Sequence, residues 1–285
     1  LDFLSKEGKM DLQILKNQSY DLRKDIIDLC YQSQSGHVGG SLSSIDLLNV
    51  LYFHVMNVSP VHFNEENRDR FILSKGHIAE ALYVVLAKKG YFDFNELNQY
   101  CKYGSKYFGH PSSKVKGVEL NSGALGHGLA LGVGIAIAAK KMNRDYRTYV
   151  LMGDGELAEG SVWESAMAAA FYQLDNLCTI VDRNRLQISG NTEDIMALEN
   201  LKEKWQSFGF EVLEIDGNNY HQIIDSFEKA KEIKNKPTLI LANTIKGKGI
   251  SFMENKASWH HGVITDEQYQ TCLKELEEAK NEQNI

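Results

Sequence analysis

The sequence predicts an α/β fold in which a mostly parallel sheet is covered by helices on both faces. In the second half of the chain, short runs rich in β-branched residues alternate with helical patterns, which is typical of parallel sheets. One strand, helix, strand unit is clear at residues 147–152, 159–174 and 176–182. No repeat, low-complexity run or Pro/Gly-rich linker divides the 285 residues, so a single domain over 1–285 is expected.

The other elements follow from the spacing of apolar residues along the chain. Residues 1–20 are expected to form a helical lead-in, and the charged segment 266–281 a helix that caps the domain. Helical spacing predicts further helices at 21–32, 43–56, 77–89, 123–139, 197–208 and 220–234. Strands are predicted at 147–152, 176–182, 211–215 and 238–243.

Residues 123–139 are highly apolar, but they are not predicted to cross a membrane. The stretch is shorter than the roughly 20 apolar residues that a span needs, and it contains His127 and several glycines. Gly128, Gly132 and Ala136 recur every fourth residue, which allows another backbone to approach this helix closely. The segment is expected to be a buried helix packed against a neighbouring element or a partner chain.

Composition excludes several classes of partner. A formal net charge of -7 argues against nucleic acid or an anionic membrane as the main partner. The cysteines form no CxxC pair, so they indicate neither a zinc site nor a disulfide framework; they are Cys30, Cys101, Cys178 and Cys272. Residues 1–20 lack the apolar core of a signal peptide. A cytoplasmic protein is therefore expected.

Two polar residues at neighbouring strand ends give the strongest indication of function. Asp154 lies in a Gly-rich turn after one strand and Asn184 follows the next, at the edge where open α/β sheets bind ligands. Their side-chain oxygens and the Leu186 carbonyl suit Mg²⁺, whose octahedron two diphosphate oxygens and a water would complete. The helix at 159–174 would direct its N-terminus at the diphosphate. Each piece alone is more typical of an ordinary turn or loop, but the pair predicts a metal and diphosphate site.

Several histidines lie beside glycine or other turn-forming residues rather than on apolar helical faces. They occur in SGHVGG (35–40), SKGH (74–77), GHP (109–111) and WHHG (259–262). Loops carry function disproportionately because a scaffold positions them, and neutral histidine suits proton transfer near neutral pH. No pair has the HxxxH spacing of a metal site. We interpret His54, His62 and His221 as structural or surface residues.

Together these motifs resemble the transketolase family. The runs GDGELAEGSVWE (153–164) and DRNRL (182–186) are similar to the thiamine diphosphate motif of that family. Other motifs occur in the same order, namely SGH (35–37), SKGH (74–77), GHP (109–111), SGALGHG (122–128), TIKGKG (244–249) and SWHHG (258–262). The resemblance covers about residues 15–270. It implies a diphosphate-binding (PP-type) α/β domain with thiamine diphosphate and Mg²⁺, or Ca²⁺ or Mn²⁺, as cofactors.

The resemblance also implies roles for individual residues. The metal ligands would be Asp154, Asn184 and the Leu186 carbonyl. Contacts to the cofactor would come from His77, Gly123, Leu125, Gly153, Asp154, Gly155, Glu159, Asn184, Lys246 and His260. The implied catalytic residues are His37, His77, His110, His260, His261 and Glu159, of which His37 and His110 would contact substrate hydroxyls. Glu159 and Glu164 resemble acidic residues of a proton relay between the two sites of a dimer. The simpler interpretation of these two is a negative charge complementing a helix dipole.

Three departures from the family pattern affect the predicted site. Val38 stands where the family usually has proline, and His127 where it usually has glutamine. The doubled histidine leaves open which imidazole belongs to the site. Spacing from Lys246 favours His260, whereas the glycine that follows favours His261.

The implied reaction transfers a two-carbon ketol unit from a ketose phosphate to an aldose phosphate. In this family a glutamate from a second, pyrimidine-binding domain activates the cofactor, and a full transketolase is more than twice as long as this chain. We therefore expect the N-terminal subunit of a split transketolase, joined to a C-terminal subunit in an α2β2 heterotetramer. Ordinary sugar phosphates of the pentose phosphate pathway are the default substrates.

Other functions are weighed against this one. Deoxyxylulose-phosphate synthase and the α subunit of a 2-oxo-acid dehydrogenase also bind thiamine diphosphate, but Glu159 and the histidine loops favour transketolase. A non-catalytic cofactor-binding or assembly subunit is opposed by the intact Asp154, Asn184 and loop histidines. A nicotinamide-dependent dehydrogenase is opposed because no GxGxxG follows an early strand with an acidic residue about 20 positions on.

Overall fold

A sheet of five parallel strands organises the protein, which is described by a computed structural model over residues 11–283. The strands are β1 (Arg70–Leu73), β2 (Thr148–Gly153), β3 (Leu177–Arg183), β4 (Leu186–Gln187), β5 (Gly190–Asn191), β6 (Glu211–Asp216) and β7 (Thr238–Asn243). The helices are α1 (Leu12–Ser33), α2 (Val38–Val50), α3 (Ala79–Lys89), α4 (His127–Lys141), α5 (Gly160–Phe171), α6 (Thr192–Ile195), α7 (Leu201–Ser207), α8 (Tyr220–Glu232) and α9 (Asp266–Gln283). The sheet order is β1-β2-β3-β7-β6, and β4 pairs with β5 in a separate small hairpin.

Alternate residues of each strand enter two different hydrophobic cores, one on each face of the sheet. Tyr149 and Leu151 of β2 pack into the core that includes α1, α2, α3 and α8. Val150 and Met152 pack into the other core, with α4, α5 and α7. This period of two is the pleat of a strand buried on both faces. The predicted α/β class with helices on both faces is confirmed.

The four predicted strands are confirmed within one or two residues at each end. The strand β1 was not predicted, because it has only four residues and begins within the charged run Arg68-Asp69-Arg70. It forms an edge of the sheet, with Arg70 opposite Thr148 of β2. This strand matters for the site because its carboxyl end leads directly into the SKGH loop.

Several helix boundaries differ from the prediction. The helix predicted at 43–56 begins at Val38 and ends in a π-helical turn, Leu51–Val55. The helix predicted at 123–139 begins only at His127, because Gly126 before it is left-handed with φ 84°. Part of the predicted lead-in, residues 1–10, lies outside the described residues, and from Leu12 onward the chain already belongs to α1. The charged helix α9 packs on α1, where Tyr269 stacks on Tyr31 at 4.1 Å between ring centroids.

The small residues of α4 face the sheet. A Cβ at Gly128 would lie 2.3 Å from Ser74 Oγ, and one at Gly132 would lie 2.5 Å from Val150 Cγ2. Only glycine therefore allows the helix this close to β2. The prediction of a closely packed helix is confirmed for this face. Within residues 11–283, no helix combines the length and apolarity that crossing a bilayer requires.

Candidate active site

A cavity of about 390 Å³ opens at the carboxyl ends of four strands of the sheet, β1, β2, β3 and β7. Lys75 follows β1, Asp154 follows β2, Asn184 follows β3 and Lys246 follows β7. Loops from four parallel strands converge there, as they do at ligand sites of open α/β sheets. The lining residues are His37, Lys75, His77, His110, Gly123, Leu125, Gly153, Asp154, Gly155, Glu156, Asn184, Leu186, Gln187, Ile188, Ser189, Lys246 and His260.

The carboxylate of Asp154 is 2% exposed and is held by the backbone around it. Its Oδ1 accepts the N–H of Gly155 at 2.8 Å, and its Oδ2 accepts the N–H of Arg185 at 2.6 Å. The guanidinium of Arg183 lies 3.3 Å from Oδ2. Burial, followed by the negative charge of Asp182, raises the pKa of Asp154, and the contact with Arg183 opposes that rise. The site thus holds an anionic oxygen pair at a cost in desolvation.

Asn184 and Leu186 lie on either side of Arg185, whose backbone N–H donates to Asp154. The Asn184 amide nitrogen donates to Asp182 Oδ2 at 3.2 Å, and its oxygen accepts the N–H of Leu186 at 3.1 Å. The Lys246 ammonium lies beside the Leu186 carbonyl oxygen, at 3.3 Å. The Asp154 carboxylate, the Asn184 carboxamide and Leu186 line the same cavity. These hard oxygen donors fit a divalent cation of the Mg²⁺ type.

Asp182 is buried beneath this turn at residues 184–186. Its carboxylate, 0% exposed, pairs with Lys75, which is 1% exposed. Ser43 and Ser44 donate to it at 2.6 and 2.8 Å, and Thr244 donates as well. Burial acts to raise the pKa of Asp182, but Lys75 and the hydrogen bonds outweigh burial and lower it. Asp182 therefore stays ionised and fixes the orientation of the Asn184 amide.

The loop histidines converge around His37. Its ring centroid lies 5.2 Å from that of His77, 6.3 Å from His110, 5.4 Å from His260 and 4.9 Å from His261. The His77 and His260 rings stack at 5.2 Å. Four separate loops thus bring five imidazoles together, although they are spread over more than 200 residues. The sequence motifs predicted these loops individually, and the structure joins them at one cavity.

Burial favours the neutral form of the four imidazoles that line the cavity, His37, His77, His110 and His260. Burial lowers the pKa of His37 to about 4, and the neighbouring His261 makes the second contribution to this lowering. Burial and Lys246 lower the pKa of His260 to about 3. Burial also lowers the pKa of His77, well below its usual range, and that of His110. At neutral pH each of these rings can accept one hydrogen bond and donate another.

His260 and His261 occupy different positions in the site. His260 lines the cavity, and its Nδ1 lies 3.1 Å from the Lys246 ammonium. His261 is exposed and contacts His37 from outside the lining. The spacing from Lys246, which favoured His260, therefore matches the geometry of the cavity.

The glutamates of residues 153–164 occupy two different environments. Glu159 is the exposed N-cap residue of α5, and Glu164 is exposed on its surface. Glu156, 2% exposed, accepts the N–H groups of Gly126 at 2.9 Å and Gly153 at 3.1 Å. Glu156 thereby ties the SGALG loop to the β2 turn. Burial raises the pKa of Glu156.

The expectation that the N-terminus of the helix at 159 faces the diphosphate position needs correction. A 3-10 turn, Gly155–Ala158, is inserted between β2 and α5. Among the described residues, the cavity lining includes Gly155 and Glu156 but none of α5. The four-residue turn displaces the start of the helix, so the turn rather than the helix faces the cavity.

The two other departures from the family pattern have simple structural outcomes. Val38 is fully buried as the first residue of α2, directly after His37. His127 is exposed at the start of α4, where its Nδ1 lies 3.2 Å from the Leu125 carbonyl oxygen. Neither side chain is among the described residues that line the cavity.

Several lining residues were not predicted from the sequence. Lys75 and Glu156 lie in the motifs SKGH and GDGE, whereas Gln187 ends β4 and Ile188 and Ser189 form the turn between β4 and β5. Lys75 could have been found from its place between a strand end and a site histidine. The hairpin residues carry no comparable indication, because their side chains are ordinary loop residues.

A buried carboxylate positions His37. Glu80, 0% exposed, accepts the backbone N–H of His37 at 2.6 Å, the Ser41 hydroxyl at 2.9 Å and the Tyr100 hydroxyl at 3.0 Å. Burial raises the pKa of Glu80 above its ordinary value of 4.5. Glu80 therefore anchors the SGH loop from α3.

We expect Glu80→Gln to remove one component of the pH dependence of stability. The folded state binds the Glu80 proton more tightly than the unfolded state, so this group's contribution to stability is complete below pH 4.5 and is lost as pH rises through the raised pKa. The loss is about 1.4 kcal/mol per pKa unit of elevation. Thermal unfolding of both proteins between pH 4 and 8 measures it. A wild type that gains stability relative to Glu80→Gln as pH rises would contradict this expectation.

Comparison with known proteins identifies the family of this chain. Residues 16–281 match the family model described as the transketolase, thiamine diphosphate binding domain. The chain belongs to the transketolase family. It is 49% identical over 269 residues to one subunit of the apulose-4-phosphate transketolase of Phocaeicola vulgatus, a match that covers 94% of this chain and 96% of that relative. It is 40% identical over 272 residues to a 6-deoxy-6-sulfo-D-fructose transketolase subunit of Clostridium sp., covering 95% and 98%.

Solved transketolases share the fold. The crystal structure of transketolase from Campylobacter jejuni matches with a TM-score of 0.86 at 35% identity. The match covers 95% of this chain but only 43% of that transketolase, so the chain spans less than half the length of that protein. The chain thus corresponds to the thiamine diphosphate-binding, N-terminal part of transketolases. Along nearly its whole length it also corresponds to single subunits of enzymes named transketolases, which are transferases.

Proposed function

We propose that this chain is the N-terminal subunit of a two-subunit transketolase that transfers a two-carbon ketol unit from a ketose phosphate to an aldose phosphate. The observation that carries the proposal is the meeting of Asp154, Asn184 and the histidine loops in one cavity. Similarity to one subunit of a transketolase over 96% of that relative's length supports the division into subunits. The proposed unit is a single cofactor-binding domain over 1–285.

Asp154, Asn184 and the Leu186 carbonyl are proposed to hold a divalent cation, most simply Mg²⁺, against the diphosphate of the cofactor. The buried Asp154 carboxylate supplies the negative charge, and the two neutral oxygens complete the protein's share of the ligands. Lys246, which already lies 3.3 Å from Leu186 O, adds positive charge on the diphosphate side. Gly153 and Gly155 contribute a backbone surface to the same wall.

A second wall is proposed to contact the cofactor through Gly123 and Leu125. Gly123 has φ 134°, and a Cβ there would lie 2.5 Å from His110 Cδ2. Only glycine therefore lets the SGALG loop pack against His110 in this conformation. Leu125 adds apolar surface to the cavity.

Thiamine diphosphate, when bound, supplies the nucleophilic carbon that breaks a carbon–carbon bond next to a carbonyl. Neutral imidazoles suit the accompanying proton movements, because they accept and donate without a charge of their own. His77 and His260 are proposed to lie by the diphosphate and the reacting carbon, and His37 and His110 to bind substrate hydroxyls. His261, which contacts His37 from outside, is proposed to support that ring.

A partner subunit is proposed to complete the site. Ile188 in the cavity wall is 74% exposed, and α4 and α5 expose Leu131 at 41%, Met167 at 56% and Phe171 at 79%. Exposed apolar side chains of this kind, one of them in the cavity wall, are typical of a surface that another protein covers. The proposed assembly is an α2β2 heterotetramer with a pyrimidine-binding subunit, and Glu159 and Glu164, exposed near this surface, are proposed to relay protons within it.

The substrate class is proposed from the family to which the chain belongs. Relatives are named for different ketose substrates, apulose 4-phosphate and 6-deoxy-6-sulfo-D-fructose. Sugar phosphates of the pentose phosphate type are the proposed substrates, with the specificity residues largely on the partner. We also propose a cytoplasmic location, since all four cysteines are free thiols, as a reducing compartment favours.

Binding of the cofactor tests this proposal. Thiamine diphosphate added with Mg²⁺ should quench the intrinsic fluorescence saturably, because Trp259 precedes His260 in the site loop. Thiamine without the diphosphate should give little quenching, as should thiamine diphosphate in the presence of EDTA. Quenching that is indifferent to both the metal and the diphosphate would contradict the proposed site.

A further inference from the structure

The loop after β7, residues 245–249, carries Lys246 into the cavity. The Lys246 ammonium lies 3.3 Å from the Leu186 carbonyl oxygen and 3.1 Å from His260 Nδ1. In the middle of the loop, the N–H of Gly247 donates to the Gly39 carbonyl at 2.9 Å. Lys246 is 2% exposed, so its position is set by the backbone of this short loop rather than by solvent.

Two side chains outside the cavity hold the two ends of this loop. Asn218 Oδ1 accepts the N–H of Ile245 at 3.1 Å. Arg23 Nε donates to the Lys248 carbonyl oxygen at 3.1 Å. Lys246 therefore lies between two anchored backbone groups, one on each side.

A single carboxylate, Asp46 of α2, joins the two anchors. Arg23 donates to both of its oxygens, at 2.9 and 2.8 Å, and the Asn218 amide donates to Oδ2 at 3.0 Å. The Tyr220 hydroxyl adds a fourth contact at 3.0 Å. Asp46 and Arg23 are 3% and 4% exposed. A buried bidentate ion pair of this kind fixes the orientation of the guanidinium as well as its distance from the carboxylate.

The loop needs such anchoring because Lys246 is 2% exposed, and burial is unfavourable for a cation. Water outside the cavity would solvate the ammonium better, so the loop must hold it in place. Gly249, with φ 96°, packs so closely that a Cβ would lie 3.2 Å from Arg23 Cδ and Nε. Arg23 thus supports the loop by packing and by its hydrogen bond.

We propose that Asp46, acting through Arg23 and Asn218, is a positioning residue that holds Lys246 in the cavity, facing the diphosphate of the cofactor. This inference rests on the proposed function. Asp46, Arg23 and Asn218 are not among the described residues that line the cavity, so they act only through the loop.

Two variants test the network. Arg23→Lys keeps a positive charge for Asp46. The lysine ammonium lacks the planar fork of the guanidinium, so it cannot donate to both Asp46 oxygens and to the Lys248 carbonyl together. Asn218→Ala removes the bridge to Ile245 at a half-buried position. Asn219→Ala is the matched control, because the Asn219 side chain caps α8 through the N–H groups of His221 and Gln222 rather than anchoring residues 245–249.

The first readout is the rate of Lys246 acylation by acetic anhydride at one fixed pH, followed by mass spectrometry of the full chain's peptides. In the wild type and Asn219→Ala the labelling should be slow, because Lys246 is 2% exposed. In Arg23→Lys and Asn218→Ala it should be at least about fivefold faster, because a displaced ammonium is accessible to the reagent. Lys75, which is 1% exposed and lies outside this loop, should be labelled slowly in every protein, and this separates displacement of the loop from a general loss of stability.

The second readout is the affinity for thiamine diphosphate with Mg²⁺, which should fall about fivefold to tenfold in both variants. Unchanged labelling, or changed labelling with unchanged affinity, would overturn the proposal. Asp154→Asn is measured in parallel. If it leaves metal-dependent affinity intact, the proposed function fails, whereas labelling of Lys246 still decides whether the network positions the loop.

Discussion

Asp154→Ala should abolish magnesium-dependent retention of thiamine diphosphate. Asp154 supplies the one ionised oxygen ligand in the proposed set, since Asn184 and the Leu186 carbonyl are neutral. Loss of a charged ligand beside a diphosphate should weaken binding by at least about 100-fold, beyond the effect of changing a residue that only supports a ligand. Calorimetric titration of thiamine diphosphate at fixed Mg²⁺, on the chain assembled with its partner, measures the change.

The controls separate the lost ligand from lost structure. Asp154→Asn keeps the shape and an acceptor for the Gly155 N–H but removes the charge, so it should fold and still bind poorly. Asp194→Ala changes an exposed aspartate on α6, outside the described lining, and should bind as the wild type does. Equal affinity in all three proteins would show that Asp154 is not a metal ligand.

Lys75→Met should destabilise the fold by about 3 to 5 kcal/mol. Lys75 is the ion-pair partner of Asp182, and both are almost fully buried. Removing the ammonium leaves a buried carboxylate supported only by hydroxyl groups and the Asn184 amide. Urea unfolding followed by circular dichroism gives the change in free energy of unfolding.

An exposed ion pair provides the matched control for this prediction. Lys274 lies 3.8 Å from Glu278, with side chains 74% and 61% exposed, so Lys274→Met should cost no more than about 1 kcal/mol. The double variant Lys75→Met/Asp182→Asn should recover part of the stability, because the unpaired charge is gone. If Lys75→Met costs no more than the control, Lys75 does not compensate the charge of Asp182.

The sequence was most informative where local pattern and chemistry coincide. The spacing of Asp154 and Asn184 predicted two residues at neighbouring strand ends, and β2 and β3 are indeed paired in parallel there. Glycine-flanked histidines predicted loops, and those loops meet at one cavity. In both cases the residues that carry the prediction lie within a few positions of a strand or turn.

Contacts between distant parts of the chain could not be predicted in this way. Arg23 and Lys248 are 225 positions apart, and Asp46 and Asn218 are 172 apart, so no local pattern relates them. The 3-10 turn before α5 was not predicted for a different reason. Polar and glycine residues precede a helix whether or not a short turn is inserted before it, so the sequence pattern does not distinguish the two cases. Of the two glutamates, Glu156 lines the cavity, and Glu159 is not among the described lining residues.

Ketol transfer by this chain, alone and with a separately expressed pyrimidine-binding subunit, tests the central claim most directly. The chain is proposed to hold the diphosphate end of thiamine diphosphate, and the partner is proposed to supply the glutamate that activates its reacting ring. We expect no transfer between a ketose phosphate and an aldose phosphate by the chain with thiamine diphosphate and Mg²⁺, and full turnover once the partner is added. Robust turnover by this polypeptide without a partner would contradict the claim.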